Sequence, residues 1–192
     1  PGPYMKTFKE ERELILLSLV DVSASLQTGS GGNTKLETAA LIFGMLGLAA
    51  VANNDRVGSL FFSDSIESIV SPQKGKKHVL RQISQLMSGG YEGHGSCLSA
   101  ALRTAADILK SRSIVVILSD FRTTGFWKDL TILAKKHDVI AIRITDPLDR
   151  VFPQSGLIDL EDTETGESLT VYGASGRFRE KYNEFWEYQR LN

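Results

Sequence analysis

Four nearly all-apolar runs of strand length, separated by segments of helical period, constrain this chain more than any other feature. Leu14 to Val20, Arg56 to Phe62, Ser113 to Leu118 and Val139 to Thr145 lack the polar alternation of a half-solvated strand. A strand that is apolar on both sides needs cover on both sides. Between them, Lys35 to Asn53, Gly75 to Ser88, Leu98 to Lys110 and Trp127 to Lys136 read as helices. The alternation predicts an α/β fold of three layers, a mostly parallel central sheet with helices on both faces. Ile66 to Val70 is expected to pair with the second run as a short hairpin arm. After Pro153 the pattern changes. Leu157 to Leu160 and Ser168 to Tyr172 flank Glu164-Thr165-Gly166-Glu167, which predicts an antiparallel hairpin at the sheet edge. A last helix starts at Ser175 or Gly176 and carries an aromatic stripe of Phe178, Tyr182, Phe185 and Trp186, expected to dock on the sheet. With 192 residues, no internal repeat and no linker, one domain is expected over 1–192.

Charge and cysteine content remove several function classes. Lys and Arg total 22 against 23 for Asp and Glu, a net charge of −1. No global field is available to hold a phosphate backbone or an anionic bilayer, so neither nucleic acid nor membrane contact is expected from this segment. The lone Cys97 makes neither an internal disulfide nor, with three histidines, a structural zinc site. A reducing, cytoplasmic setting is the simplest expectation. The longest apolar run, Leu41 to Ala52, is shorter than the ~20 residues that span a bilayer. The chain begins at Pro1 with no visible signal peptide, so it reads as a piece excised from a longer protein, and an anchor outside it is compatible with this reading.

In an open α/β sheet, ligands bind outside the carboxyl ends of the strands. The runs deliver Asp21, Asp64, Asp120 and Asp146 to that rim. Asp64 and Asp146 are read as turn caps. Asp21 has company, because Asp21-Val22-Ser23-Ala24-Ser25 sets three oxygen side chains at alternate positions. One carboxylate with two hydroxyls suits a hard cation such as Mg²⁺ better than zinc. Ser119-Asp120 offers a second carboxylate, and Gly95-Ser96 a further hydroxyl.

These residues resemble the metal-ion-dependent adhesion site of von Willebrand factor A domains, and more closely the bacterial family catalogued as domain of unknown function 58. The stretches that carry the resemblance are 6–13, Leu-Val-Asp-Val-Ser-Ala-Ser at 19–25, Asp-Arg-Val-Gly at 55–58, 113–121, His-Asp-Val at 137–139 and Asp-Pro at 146–147. The resemblance implies a von Willebrand A-like, Rossmann-like fold. It assigns Asp21, Ser23, Ser25, Ser96 and Asp120 as ligands of Mg²⁺, or of Mn²⁺ or Ca²⁺. Ser96 stands where the family usually has Thr. Cys97 stands where it commonly has Asp, so one negative charge near the site is missing. In the von Willebrand A class an acidic side chain of a partner protein completes the metal. A MoxR-type AAA+ ATPase is the partner implied first, in chaperone-like assembly or maturation.

Rival readings fit the residues less well. A dehalogenase-type phosphotransferase wants a second acid where Ser23 stands, so no general acid is evident for metal-dependent phosphoester hydrolysis. His94, Ser96 and Asp120 lack the elbow of a hydrolase triad. Gly29 to Lys35 fails the spacing of a phosphate-binding loop and reads as a flexible connection. Lys74, Lys76, Lys77 and His78 read as a solvated surface, His137 as a surface or rim residue, and Cys97 as a small buried hydrophobe. A scaffold with a degenerate, empty site is the remaining alternative. The expectation is therefore a binding domain and not an enzyme.

Overall fold

The computed structural model describes residues 13–91, 93, 95–149, 152, 156–161 and 168–191. Four strands run parallel: β1 (Ile15–Asp21), β2 (Arg56–Phe62), β4 (Ile114–Ser119) and β5 (Asp138–Arg143). A fifth, β3 (Ile66–Gln73), pairs antiparallel with β2, and the order across the sheet is β3-β2-β1-β4-β5. The chain leaves β1 for β2 on one side and reaches β4 on the other. The β1–β4 boundary is therefore the switch point at which such sheets open a crevice.

Period-two alternation sorts the strand residues onto two cores. Leu16, Val20, Val57, Phe61, Val116 and Leu118 face α1 (Lys35–Ala52) and α2 (Lys76–Met87). Leu17, Leu19, Leu60, Phe62, Val115 and Ile117 face α3 (Leu98–Ile108), with Leu133 of α4 (Trp127–Ala134) in the same cluster. Each of these side chains, fully buried, contributes ~1.5–3 kcal/mol against exposure. The three-layer arrangement read from the sequence is thus present. Val79, Gln82 and Leu86 form the buried stripe of α2, and Leu98, Ala101, Leu102 and Ala105 that of α3.

The first helix is apolar nearly all round, and by length and composition it is long and apolar enough to cross a membrane. Here Ala39, Ala40, Phe43, Gly44 and Gly47 are buried against the sheet and α2. A Cβ on Gly47 would come within 2.9 Å of Val79 Cγ1, so the glycine is what lets α2 lie this close. Thr34 and Glu37 start the helix with a reciprocal capping box: Thr34 Oγ1 accepts from the Glu37 amide at 3.1 Å, and the Thr34 amide donates to Glu37 Oε2 at 2.8 Å. The segment before α1 is therefore tied at its end, and Ser30 further ties it to Asp146.

Three details differ from the sequence reading. The antiparallel arm at the edge of the main sheet is β3, which runs on to Gln73; β6 (Leu157–Glu161) and β7 (Ser168–Tyr172) pair with each other in a separate two-stranded sheet. Their expected turn, Glu164 to Glu167, lies outside the described residues. In the last helix, α5 (Gly176–Leu191), Phe178 and Tyr182 pack on Phe152, which the sequence reading did not include, with ring centroids 5.0 Å away in both cases. The side chains of Phe185 and Trp186 lie outside the described set. His137 is 5% exposed and not a surface residue, because its backbone closes the end of α4 on Leu133 O before β5 begins.

Candidate metal centre

At the end of β1, Asp21 stops the strand by taking back its own chain. Its Oδ1 accepts from the Ser23 amide at 3.0 Å, and a 3₁₀ turn over Ala24–Gln27 follows. That turn swings Ser25 beneath Ser23, with the two Oγ atoms 3.2 Å apart. Asp21, Ser23 and Ser25 are all buried. Ser25 Oγ donates to Asp120 Oδ2 at 2.9 Å, closing the gap from the loop after β1 to the end of β4.

Ser96 arrives from a loop pinned to the end of β2. The Cys97 amide donates to Ser63 O at 2.6 Å, and the Gly93 amide donates to Glu67 Oε1 at 3.2 Å. Gly93 lies so close that a Cβ there would stand 1.9 Å from Ser63 Oγ and 2.6 Å from Ser63 Cβ. This seat brings Ser96 Oγ to within 2.8 Å of Asp21 Oδ2, to which it donates. All five residues expected at the rim therefore meet in one hydrogen-bonded network, drawn from three separate segments.

Four further residues belong to it that sequence reasoning did not include. Ser119 Oγ donates to Asp21 Oδ2 at 2.6 Å. Lys35, 3% exposed, places Nζ 3.0 Å from Asp120 Oδ2 and 3.5 Å from Asp149 Oδ2. Arg122 sets Nε 3.3 Å from Asp120 Oδ2 and donates through Nη2 to Asp149 Oδ1 at 2.6 Å. One signal could have found Lys35. A cation in the first turn of a helix opposes the helix dipole, so it needs an acidic partner from elsewhere. Phe121 has φ +56°, a left-handed conformation uncommon for a bulky side chain, and it turns the chain so that Arg122 folds back over Asp120.

Burial pushes the Asp21 carboxyl above its ordinary value, against the opposing pull of hydrogen bonds from Ser119, Ser23 and Ser96. Among the hydrogen bonds described, the side chains of the remaining candidates do not join the cluster, although the Asp146 amide donates to Asp149 Oδ2. Asp64 is exposed and takes only its neighbour Ser63 Oγ, at 3.3 Å, among the hydrogen bonds described for it. Asp146 caps its own turn through the Leu148 amide at 2.8 Å and holds Ser30 by its amide at 2.8 Å and its hydroxyl at 2.5 Å. Cys97 is a free, half-buried thiol at the start of α3, less enclosed than expected. His78 contacts Val57 O at 3.0 Å, while Lys76 and Lys77 are exposed, as read from the sequence. His94 lies outside the described residues.

The donor chemistry of the network fits a hard cation. The five candidate residues bring two carboxylates and three hydroxyls to the rim, and the hydrogen bonds described among them involve no sulfur or imidazole. Among the described residues no group of three or more His, Cys, Asp or Glu side chains is gathered in a way that could hold a metal ion. Asp120 Oδ2 already faces a cation, the ammonium of Lys35.

Residues 2–192 match the family model described as Protein of unknown function DUF58. The uncharacterized protein Rv1480 of Mycobacterium tuberculosis is 29% identical over 170 residues, which cover 85% of this chain and 53% of that one. The chain thus spans about half the length of the curated relatives it matches. Among solved structures, an aerotolerance-related membrane protein from Bacteroides fragilis superposes with a TM-score of 0.62 at 16% identity, covering 91% of this chain and 88% of that one. The conserved hypothetical protein BatB from Bacteroides thetaiotaomicron gives 0.59 at 15% identity, covering 91% and 87%. At such identities the likeness is one of fold.

Proposed function

Since this chain belongs to the family described as Protein of unknown function DUF58, its role has to be read from its rim, and we propose that the rim binds a protein partner through a divalent cation. The observation that carries this reading is the single network joining Asp21, Ser23, Ser25, Ser96 and Asp120 at the switch point between β1 and β4. Ser23, Ser25 and Ser96 act as neutral oxygen ligands, with Asp21 and Asp120 holding the ion directly or through water. Bound Mg²⁺, or Mn²⁺ or Ca²⁺, supplies an electrophilic position that an Asp or Glu of the partner completes. Ser119 orients Asp21 by its 2.6 Å hydrogen bond, and the Gly93 seat fixes Ser96. The rim binds and does not catalyse: Ser23 occupies the place where a second acid would protonate a leaving group. A MoxR-type AAA+ ATPase, implied by the family resemblance, is the first partner to try.

Thermal unfolding in EDTA and then in Mg²⁺, on wild type and Asp120→Ala, tests the cation. A site at ten times its Kd adds about 1.4 kcal/mol, or about 3–6 °C for a domain of this size. The expected result is a shift in wild type that is absent in the variant. Equal shifts, or none in either protein, sink the reading. For the partner, co-purification with the ATPase in Mg²⁺ and its loss in EDTA is expected; retention in EDTA rules out metal-dependent docking.

A further inference from the structure

We infer that Lys35 is a cation built into the rim, which competes with a divalent ion for Asp120 and transfers to Asp149 when the site is loaded. The inference rests on the metal-dependent reading above. Lysine side chains ordinarily snorkel their ammonium into water. Lys35 does the reverse, with Nζ turned inward at 3% exposure, from the first residue of α1 where the helix dipole disfavours a cation. Such a placement persists only where carboxylates compensate it.

The compensation comes from the atom the metal reading also needs. Asp120 Oδ2 takes Lys35 Nζ at 3.0 Å and Ser25 Oγ at 2.9 Å, with Arg122 Nε at 3.3 Å. A divalent ion held by Asp120 and Ser25 would meet a like charge a few ångströms away, in a site with little water to screen it. Lys35 has a second acceptor within reach, Asp149 Oδ2 at 3.5 Å. Asp149 is itself fixed, by the Asp146 amide at 2.9 Å and by Arg122 at 2.6 Å. Transfer therefore asks for a rotation of the lysine side chain and brings the ammonium onto the same Oδ2 that holds the Asp146 amide.

The transfer is felt at the surface. Asp149 ends the short turn Pro147–Asp149, and Asp146, at the start of that turn, holds Ser30 of the segment leading into α1. Both loops flank the rim, so a partner meets one surface when Lys35 sits on Asp120 and another when it sits on Asp149.

Calorimetric titration of Mg²⁺ and Mn²⁺ into the 192-residue chain tests this, with Lys35→Met, Lys35→Arg and Asp120→Asn alongside wild type. Melting in EDTA confirms that each variant folds. Lys35→Met is expected to bind at least about tenfold more tightly than wild type, and Lys35→Arg, which keeps the charge, within about threefold of it. Binding by Lys35→Met where wild type shows none supports the inference equally. Equal or weaker binding by Lys35→Met overturns it, while the metal reading stands if Asp120→Asn loses binding. Absence of binding in every protein overturns both. A wild-type measurement covers the case of a variant that does not fold. Amide exchange at Ser30 and Asp146 is expected to change by at least about threefold on adding Mg²⁺. Unchanged exchange in a chain that binds the ion overturns the transfer.

Discussion

Ser119 and Asp21 bridge two neighbouring parallel strands side chain to side chain, the Ser119 hydroxyl donating to a carboxylate that is wholly buried. The bond eases, without cancelling, the cost of burying that charge. Because the folded-state pKa of Asp21 lies above its ordinary 3.8, the native domain holds this proton more firmly than the unfolded chain does. Stability is therefore given up as pH rises from the ordinary value through the folded one. Asp21→Asn removes the charge and keeps the shape. In EDTA it is expected to melt at or above wild type, with no gain from Mg²⁺. A fall of more than about 3 °C in EDTA would show that the carboxylate is a structural asset.

Gly93 makes a second, more mechanical prediction. Its contact with Ser63 leaves no room for a methyl group, so Gly93→Ala must lift the loop that carries Ser96 away from β2. The expected outcome is a loss of Mg²⁺ stabilisation with a modest fall in the EDTA melting temperature, since Ser96 lies outside both apolar cores. Retention of a wild-type metal shift in Gly93→Ala would remove Ser96 from the ligand set.

His137 sets an acid limit. Its ring is buried with neither nitrogen hydrogen-bonded among the described residues, and burial holds its pKa below the ordinary 6.5, with Lys136 pushing the same way. The unfolded chain therefore takes up the proton first. Stability is full above about pH 6.5 and falls as pH drops toward the folded value. Denaturant unfolding from pH 7.5 to 5 is expected to show this decline in wild type and a shallower one in His137→Phe. Parallel pH profiles would assign the decline to other groups.

What the sequence made legible follows the range of each contact. Asp21, Ser23 and Ser25 lie within five residues, and their spacing alone pointed to an oxygen site. Ser96 and Asp120 came from rim logic and family resemblance. Lys35 and Asp149 did not come at all, because their ion pair joins positions 114 apart and each has a sound local reading, a helix start and a turn. β1, β2 and β4 were legible because both of their faces are buried, which erases alternation and leaves plain apolar runs, whereas β5 reads the same way although its residues are partly buried or exposed. The second hairpin was legible as a hairpin, but short alternating segments carry no information about which sheet they join.

Two hydroxyls beneath α1 offer a contrast to the rim. Ser18 and Ser59 are register partners on β1 and β2, fully buried, and neither Oγ has a hydrogen-bond partner among the described residues. A buried hydroxyl without a partner costs ~1–3 kcal/mol of desolvation. Ser59→Ala is therefore expected to be neutral or to stabilise the domain by up to about 1 kcal/mol in denaturant unfolding. A loss of more than about 1 kcal/mol would show that the hydroxyl is satisfied in solution.

The outer side of β5 bears on how the protein behaves as a concentrated solution. The strand ends the sheet, with no strand among the described residues beyond it, and Ile140 at its middle is 50% exposed. Arg143 and Asp138 put charges only at its two ends. An edge of this kind is a template for another chain, so the failure to expect during concentration or refolding is edge-to-edge aggregation through β5. A lysine at position 140 would interrupt it without touching the rim.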